Sequence, residues 1–127
     1  MSKIAFMFPG QGSQSVGMAS HLAGRSAAAG ILSRLDELSE TPGLLSLISE
    51  GPEDLLTRTD NVQPAITAVS LAVLAVLAEA GVEALGAAGN SLGEYPALVA
   101  AGVITPEAAI PLTRLSTSFR RPRGSCP

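Results

Sequence analysis

The stretch Gly89-Asn90-Ser91-Leu92-Gly93 decides how this chain is interpreted, because it has the pattern Gly-x-Ser-x-Gly. In this pattern a serine lies on a sharp turn between a strand and a helix, and the glycines let the backbone pass without a Cβ clash. The serine hydroxyl is then exposed, and the N–H of Leu92 at the helix N-terminus can stabilise an oxyanion. We therefore predict that Ser91 is a nucleophile for acyl transfer. The alternative is a helix N-cap serine between turn glycines, with no chemistry.

Strand and helix signals lie on both sides of this stretch. Residues 82–88 are consistent with a short strand that leads into it, and residues 91–101 predict a helix that ends near Gly102. Residues 4–8 form a short apolar run that stops at Pro9-Gly10, which favours a buried strand. Further helices are predicted over residues 18–38, over residues 44–48, after Gly51-Pro52, over residues 63–80 with Gln63-Pro64 at the start, and from Thr105-Pro106 onward. Strands that alternate with helices indicate an α/β fold.

A second motif, Phe8-Pro9-Gly10-Gln11-Gly12-Ser13-Gln14, directly follows the first predicted strand. A glycine-rich loop in this position can offer backbone N–H groups to an anion. It is neither a Walker loop nor a dinucleotide-binding fingerprint, because the required lysine or third glycine is absent. An ordinary tight turn remains the alternative.

Composition excludes several classes of function. The chain has 127 residues, of which 46% are hydrophobic and 3% aromatic, and its net charge of -3 gives no electrostatic reason to bind nucleic acid or an anionic membrane. Cys126 is the single cysteine, so no internal disulfide is possible. The longest apolar stretch, residues 65–78, is shorter than the roughly 20 residues that a membrane-spanning helix needs. We predict a cytoplasmic protein in which this stretch is a central, buried helix.

Both motifs together identify a family. The chain resembles the N-terminal part of the malonyl-CoA:acyl-carrier-protein transacylases, the acyltransferases of bacterial fatty-acid synthesis. The resemblance extends in order and spacing from residue 3 to about residue 115. The matching segments are residues 8–14, Gly17-Met18, Gly51-Pro52 with Leu55-Leu56 and Thr59, Gln63-Pro64-Ala65, Ser91-Leu92-Gly93-Glu94-Tyr95, and residues 97–102.

The resemblance implies a ping-pong reaction in which Ser91 takes a malonyl group from coenzyme A and passes it to the phosphopantetheine thiol of acyl carrier protein. It also implies that the backbone N–H groups of Gln11 and Leu92 form the oxyanion hole, and that Gln63 lines the acyl pocket. No metal and no redox cofactor is implied. The implied fold is the N-terminal part of an α/β-hydrolase-like acyltransferase core, with a short parallel sheet flanked by helices and without the family's smaller inserted subdomain.

The chain departs from the family pattern at the nucleophile and after residue 115. Asn90 stands where the family has a histidine that is distinct from the catalytic base, which predicts reduced or altered activity. The family also has an Arg-Gly pair that binds the malonyl carboxylate, and here Ser116-Thr117 occupies those positions while Arg114 and Arg120 are out of register. Pro111 falls where the family continues a helix, at a cost of about 3 kcal/mol for an interior proline.

The catalytic histidine of the family lies beyond residue 127, so the base is expected to be absent from this chain. The one histidine present, His21, is predicted to be a solvated residue on the surface of the first helix. We predict a partial acyltransferase domain over residues 1–115, and a basic, disordered tail unrelated to the family over residues 116–127. Two alternatives stay open: a non-catalytic fragment that acts only as a binding or scaffold piece, and an unrelated serine hydrolase.

Overall fold

Two short parallel strands place the two motifs next to each other. β1 (Ala5–Phe8) pairs with β2 (Gly86–Gly89), with Ala5 opposite Gly86 and Phe8 opposite Gly89. Because the strands are parallel, their carboxyl ends meet at one edge, where the glycine-rich loop and the serine turn both begin. The computed structural model describes the backbone of residues 3–120 and the side chains of residues 3–115. It confirms an α/β fold with a short parallel sheet.

Helices make up most of the described chain and supply the long crossover between the strands. The α-helices are α1 (Ser26–Ser39), α2 (Leu44–Glu50), α3 (Glu53–Thr57), α4 (Thr59–Glu79), α5 (Glu94–Ala100) and α6 (Pro106–Arg120), and short 3-10 helices span Ser20–Leu22 and Ser91–Gly93. The Thr105 hydroxyl caps α6 by accepting a hydrogen bond from the N–H of Ala108 at 3.2 Å, as expected for an N-cap. The predicted start signals after Gly51-Pro52 and at Thr105 are confirmed.

α4 is the central helix, and it packs against α1, α3, α5 and α6. Every residue from 62 to 68 is buried. By length and composition alone α4 is able to cross a membrane, but 56% of its most apolar window is buried inside the protein. Such burial is expected of a core helix, which confirms the prediction that this segment is central.

Aliphatic side chains fill the space around α4. Leu35 of α1, Leu71 of α4 and Ile110 of α6 form one cluster, and Leu44 and Leu56 pack beside α4 in another. Each of these side chains is at most 2% exposed. Burial of one such side chain contributes about 1.5–3 kcal/mol, so these clusters hold the helices together despite the low aromatic content.

The prediction of one continuous helix over residues 18–38 is wrong. Residues Ser20–Leu22 form a 3-10 turn, Gly24 has a φ of +79°, and α1 begins only at Ser26. The apolar residues Met18 and Leu22 do have helical spacing, but the left-handed conformation at Gly24 ends the turn before a second turn can form. Gly24 is therefore a turn residue and not a weak point inside a helix.

The prediction that Gln63-Pro64 opens a helix is also wrong. α4 begins at Thr59, and the N–H groups of Asn61 and Val62 both donate to the carbonyl of Arg58, so Pro64 lies inside the helix. A proline there removes one backbone hydrogen bond, and the complete burial around it offsets the cost. Pro111 likewise lies inside α6, which continues past it.

Two further boundaries differ from the predictions. The strand is Gly86–Gly89 rather than residues 82–88, and the helix predicted from residue 91 starts as a 3-10 turn that becomes α5 at Glu94. The predicted disordered tail begins at residue 116, but residues 116–120 continue α6 in the structure. Residues 121–127 lie outside the described residues, so the division of the chain at residue 115 stays a prediction.

Helices cover only one face of the sheet within the described residues. Phe6 and Phe8 point to the covered side and are half-buried, with their rings 6.4 Å apart in an edge-to-face arrangement. On the other face Ala5 is exposed and Met7 is 84% exposed, and Leu85 before β2 is 78% exposed. Because parallel sheets are normally covered on both faces, this bare face is an unusual apolar surface.

Candidate active site

Ser91 occupies a strained turn between β2 and the helical segment that follows. Asn90 is extended, with φ -92° and ψ 116°, and Ser91 then adopts a φ of +53° before the chain enters the 3-10 turn. A non-glycine residue in this left-handed region costs about 1–3 kcal/mol. The Ser91 residue is exposed. This geometry confirms the predicted sharp turn at Ser91, and the nucleophilic role of Ser91 stays a prediction.

Neighbouring backbone atoms lie too close to both glycines of the motif to leave room for a side chain. A Cβ at Gly89 would overlap the carbonyl group of Gly93 and the N–H of Glu94, and a Cβ at Gly93 would overlap the carbonyl group of Phe8 at the end of β1. The N–H of Asn90 also donates to the Phe8 carbonyl at 3.1 Å. The serine turn is thus clamped between its own helix and the end of the neighbouring strand.

The glycine-rich loop after β1 lies directly against the serine turn. Gly10 is buried, and a Cβ placed on it would lie 2.5 Å from the carbonyl oxygen of Asn90 and 3.6 Å from the Cβ of Ser91. Only glycine permits this approach. The two motifs that were separate in the sequence therefore form one site, and Gln11 follows directly after the contact.

Some backbone N–H groups in this site are hydrogen-bonded within the loop, and others are not. The N–H of Gly12 donates to the Gln14 side-chain oxygen at 2.7 Å, and the N–H of Ser13 donates to the Gly10 carbonyl at 3.4 Å. By contrast, the N–H groups of Gln11 and Leu92 find no acceptor among residues 3–120. Free donors on the loop and on the turn are what an oxyanion hole requires.

Gln63 lies in the N-terminal half of α4. It is 5% exposed, and its neighbours Val62 and Ile66 form a buried cluster with Leu92, against which Tyr95 and Met18 also pack. The cluster fixes the N-terminal half of α4 against the residue that follows the serine. Gln63 has an interaction partner in the structure, and its place in the acyl pocket stays a prediction.

The charged candidates lie on other elements. His21 is exposed on the 3-10 turn Ser20–Leu22, and its side chain makes no hydrogen bond to another described residue, so its predicted exposure is confirmed. Arg114 on α6 forms an ion pair with Glu40 at 2.9 Å. Among the described residues, no group of three or more His, Cys, Asp or Glu side chains is placed to hold a metal ion.

Sequence reasoning missed the role of Gly10. A glycine shortly after a strand is found both in ordinary turns and at close backbone contacts. The contact of Gly10 with Asn90 is therefore visible only in the structure. The hydrogen bonds that Gln14 and Ser13 make inside the loop were missed as well.

Comparisons with known proteins show the family of this chain. A model of the acyl transferase domain matches residues 5–121. The malonyl CoA-acyl carrier protein transacylase of Bacillus subtilis (strain 168) is 48% identical over 120 residues, a match that covers 94% of this chain and 38% of the relative. The transacylase of the same name from Escherichia coli (strain K12) is 42% identical over 123 residues, covering 94% of this chain and 39% of the relative.

Solved structures are similar over the same region. The acyl-carrier-protein S-malonyltransferase of Burkholderia pseudomallei 1710b superposes with a TM-score of 0.86 at 40% identity, covering 92% of this chain and 38% of that one. A malonyl-transacylase in complex with its type II PKS acyl-carrier protein superposes with a TM-score of 0.85 at 38% identity, covering 93% of this chain and 38% of that one. The chain therefore spans under two fifths of the length of these relatives.

Proposed function

This chain belongs to the acyl transferase domain family, and from that premise we propose that it is the nucleophile-bearing part of a malonyl-CoA:acyl-carrier-protein transacylase of fatty-acid synthesis. The observation that carries the proposal is the φ of +53° at Ser91, on a turn clamped against the glycine-rich loop. The whole domain would be an α/β-hydrolase-like core in the cytoplasm, of which β1, β2 and their helices are one part. Its partners would be malonyl-CoA and acyl carrier protein.

In the first half-reaction the Ser91 hydroxyl oxygen attacks the thioester carbonyl carbon of malonyl-CoA, and its proton passes to a base. The N–H groups of Gln11 and Leu92 stabilise the negative charge on the carbonyl oxygen. The carbon–sulfur bond then breaks, and the coenzyme A thiolate leaves with the proton from the base. A malonyl ester remains on Ser91.

In the second half-reaction the phosphopantetheine thiol of acyl carrier protein attacks that ester after giving its proton to the base. The bond between the acyl carbon and the Ser91 oxygen breaks, and the serine recovers the proton. We assign Gln63 to the acyl pocket in both steps because the family resemblance implies that role, and Gln63 is a buried residue of α4.

The base is not assigned within this chain. In the family it is a histidine, and His21 is an exposed residue on a separate turn, so we do not give it that role. Arg114 is paired with Glu40, which supports leaving the carboxylate-binding role unassigned too. Ser91 without its base is a slow nucleophile, and we propose low activity for the 127-residue chain alone.

The experiment is incubation of the purified chain with malonyl-CoA, followed by intact-mass analysis at successive times. We expect a slow mass increase of one malonyl group in the wild-type chain and none in Ser91→Ala. Addition of acyl carrier protein bearing phosphopantetheine is expected to remove the malonyl group and to appear as malonylated carrier. Absence of the ester, or an ester that persists in Ser91→Ala, contradicts the proposal.

The same experiment separates the two alternative functions. A non-catalytic binding piece gives no ester on Ser91 but still binds the carrier in a titration. An unrelated serine hydrolase releases the acyl group to water as fast without the carrier as with it.

A further inference from the structure

The loop between β1 and the first 3-10 turn contains polar side chains that the proposed reaction does not use. Gln14 accepts a hydrogen bond from the N–H of Gly12 at 2.7 Å, and the Ser13 hydroxyl donates to the carbonyl of Gly10 at 2.8 Å. Both bonds join residues within the loop: the first lies after Gln11, and the second spans it. They hold the loop in one conformation without contributing an atom to a substrate.

These bonds do not occupy the backbone donor of Gln11. Gly12 and Ser13 have their N–H groups bonded internally, and the Gln11 N–H has no acceptor among residues 3–120. Gln11 lies one residue after Gly10, whose position is set by its contact with Asn90. A donor is preorganised when one bond spans it and another fixes the residues that follow it, and preorganised donors stabilise developing charge without reorganising during the reaction.

We propose that Gln14 is a positioning residue that holds the glycine-rich loop so that the Gln11 N–H stays available to the acyl oxygen at Ser91. The inference rests on the proposed acyl transfer for its catalytic consequence. Its structural part, the ordering of the loop by the Gln14 side chain, stands without it. Ser13 supports the same conformation through its hydroxyl bond to the Gly10 carbonyl, which spans Gln11.

The perturbation is Gln14→Leu, which keeps the size of the side chain and removes its acceptor. We expect the acylation rate of Ser91 at saturating malonyl-CoA to fall about 3- to 10-fold, the loss expected when one net hydrogen bond is removed, with little change in KM. Ser15→Ala is the matched control, since the Ser15 side chain makes no hydrogen bond among the described residues. This control is expected to behave as wild type.

A second measurement does not depend on activity. The heteronuclear NOE of the backbone amides of residues 11–13 reports motion on the picosecond to nanosecond timescale. We expect it to fall in Gln14→Leu, and to stay near the wild-type value in Gln14→Glu, which keeps an acceptor oxygen, and in Ser15→Ala.

The outcomes are distinguishable. If the wild-type chain forms no ester, the proposed function fails, and the amide measurement still decides whether Gln14 orders the loop. If Gln14→Leu leaves the amide order of residues 11–13 unchanged, the positioning role is overturned. It is also overturned if the loop loosens while the acylation rate stays at the wild-type value.

Discussion

Replacement of Gly93 by alanine tests whether the serine turn is clamped against β1. Gly93 has φ -63° and ψ -12°, a backbone conformation that alanine adopts freely, so the substitution adds no backbone strain. The added Cβ would instead overlap the carbonyl group of Phe8 and would lie 3.0 Å from the carbonyl oxygen of Pro9. These atoms belong to the backbone, so they cannot rotate away as a side chain would.

The destabilisation follows from two terms. Forcing the turn and the strand end apart costs about 1–3 kcal/mol, as other overpacked sites do. The same movement lengthens the hydrogen bond from the Asn90 N–H to the Phe8 carbonyl, now 3.1 Å, and its loss adds about 1 kcal/mol. We therefore expect Gly93→Ala to lower the free energy of unfolding by about 2–4 kcal/mol, which lowers the melting temperature by roughly 6–16 °C in a chain of this size.

The assay is thermal and urea denaturation followed by circular dichroism, with Gly30→Ala as the matched control. Gly30 lies inside α1, and a Cβ placed on it meets no atom within 4 Å. The same substitution there is expected to raise the free energy of unfolding by about 0.5–1 kcal/mol, because alanine is the better helix former. Equal melting temperatures for Gly93→Ala and the wild type would refute the clamp. A destabilised Gly30→Ala would contradict the open space around the Cβ position of Gly30 on α1.

Three further changes test the rest of the structure. Ser91→Gly is expected to stabilise the fold by about 1 kcal/mol in urea denaturation, because glycine adopts the φ of +53° without strain. Ser91→Ala is expected to leave the stability nearly unchanged. Equal stabilities of the two variants would contradict strain at this turn. Thr67→Val is expected to stabilise the fold by about 1 kcal/mol and so to raise the melting temperature, since the buried Thr67 hydroxyl has no hydrogen-bond partner in the part of the chain that the structure describes. A lower melting temperature would indicate that the hydroxyl is bonded. Met7→Glu is expected to shift the chain from associated species towards monomer in sedimentation velocity, because Met7 is 84% exposed on the bare face of the sheet. A wild-type chain that is already monomeric would refute self-association through this face.

The sharp turn at Ser91 was predictable from the sequence, because the residues that form it are contiguous. Ser91 and Leu92 stand between two glycines of one short motif, and the predicted sharp turn agrees with the positive φ. Helix boundaries were less predictable. Gln63-Pro64 has the composition of a helix start, yet burial of the surrounding residues keeps Pro64 inside α4. The energy of that burial is not visible in a local pattern.

Local sequence determined the α/β class, the positions of the apolar segments and the sharp turn at the serine, because period, glycine placement and capping residues act over a few positions. Tertiary structure alone decided that Gly10 packs against Asn90, that Gly93 meets the end of β1, and that the N–H groups of Gln11 and Leu92 have no acceptor among the described residues. These contacts join residues about 80 positions apart. They exist because parallel pairing of β1 with β2 places the two carboxyl ends side by side, and strand pairing over that distance leaves no local signature in the sequence.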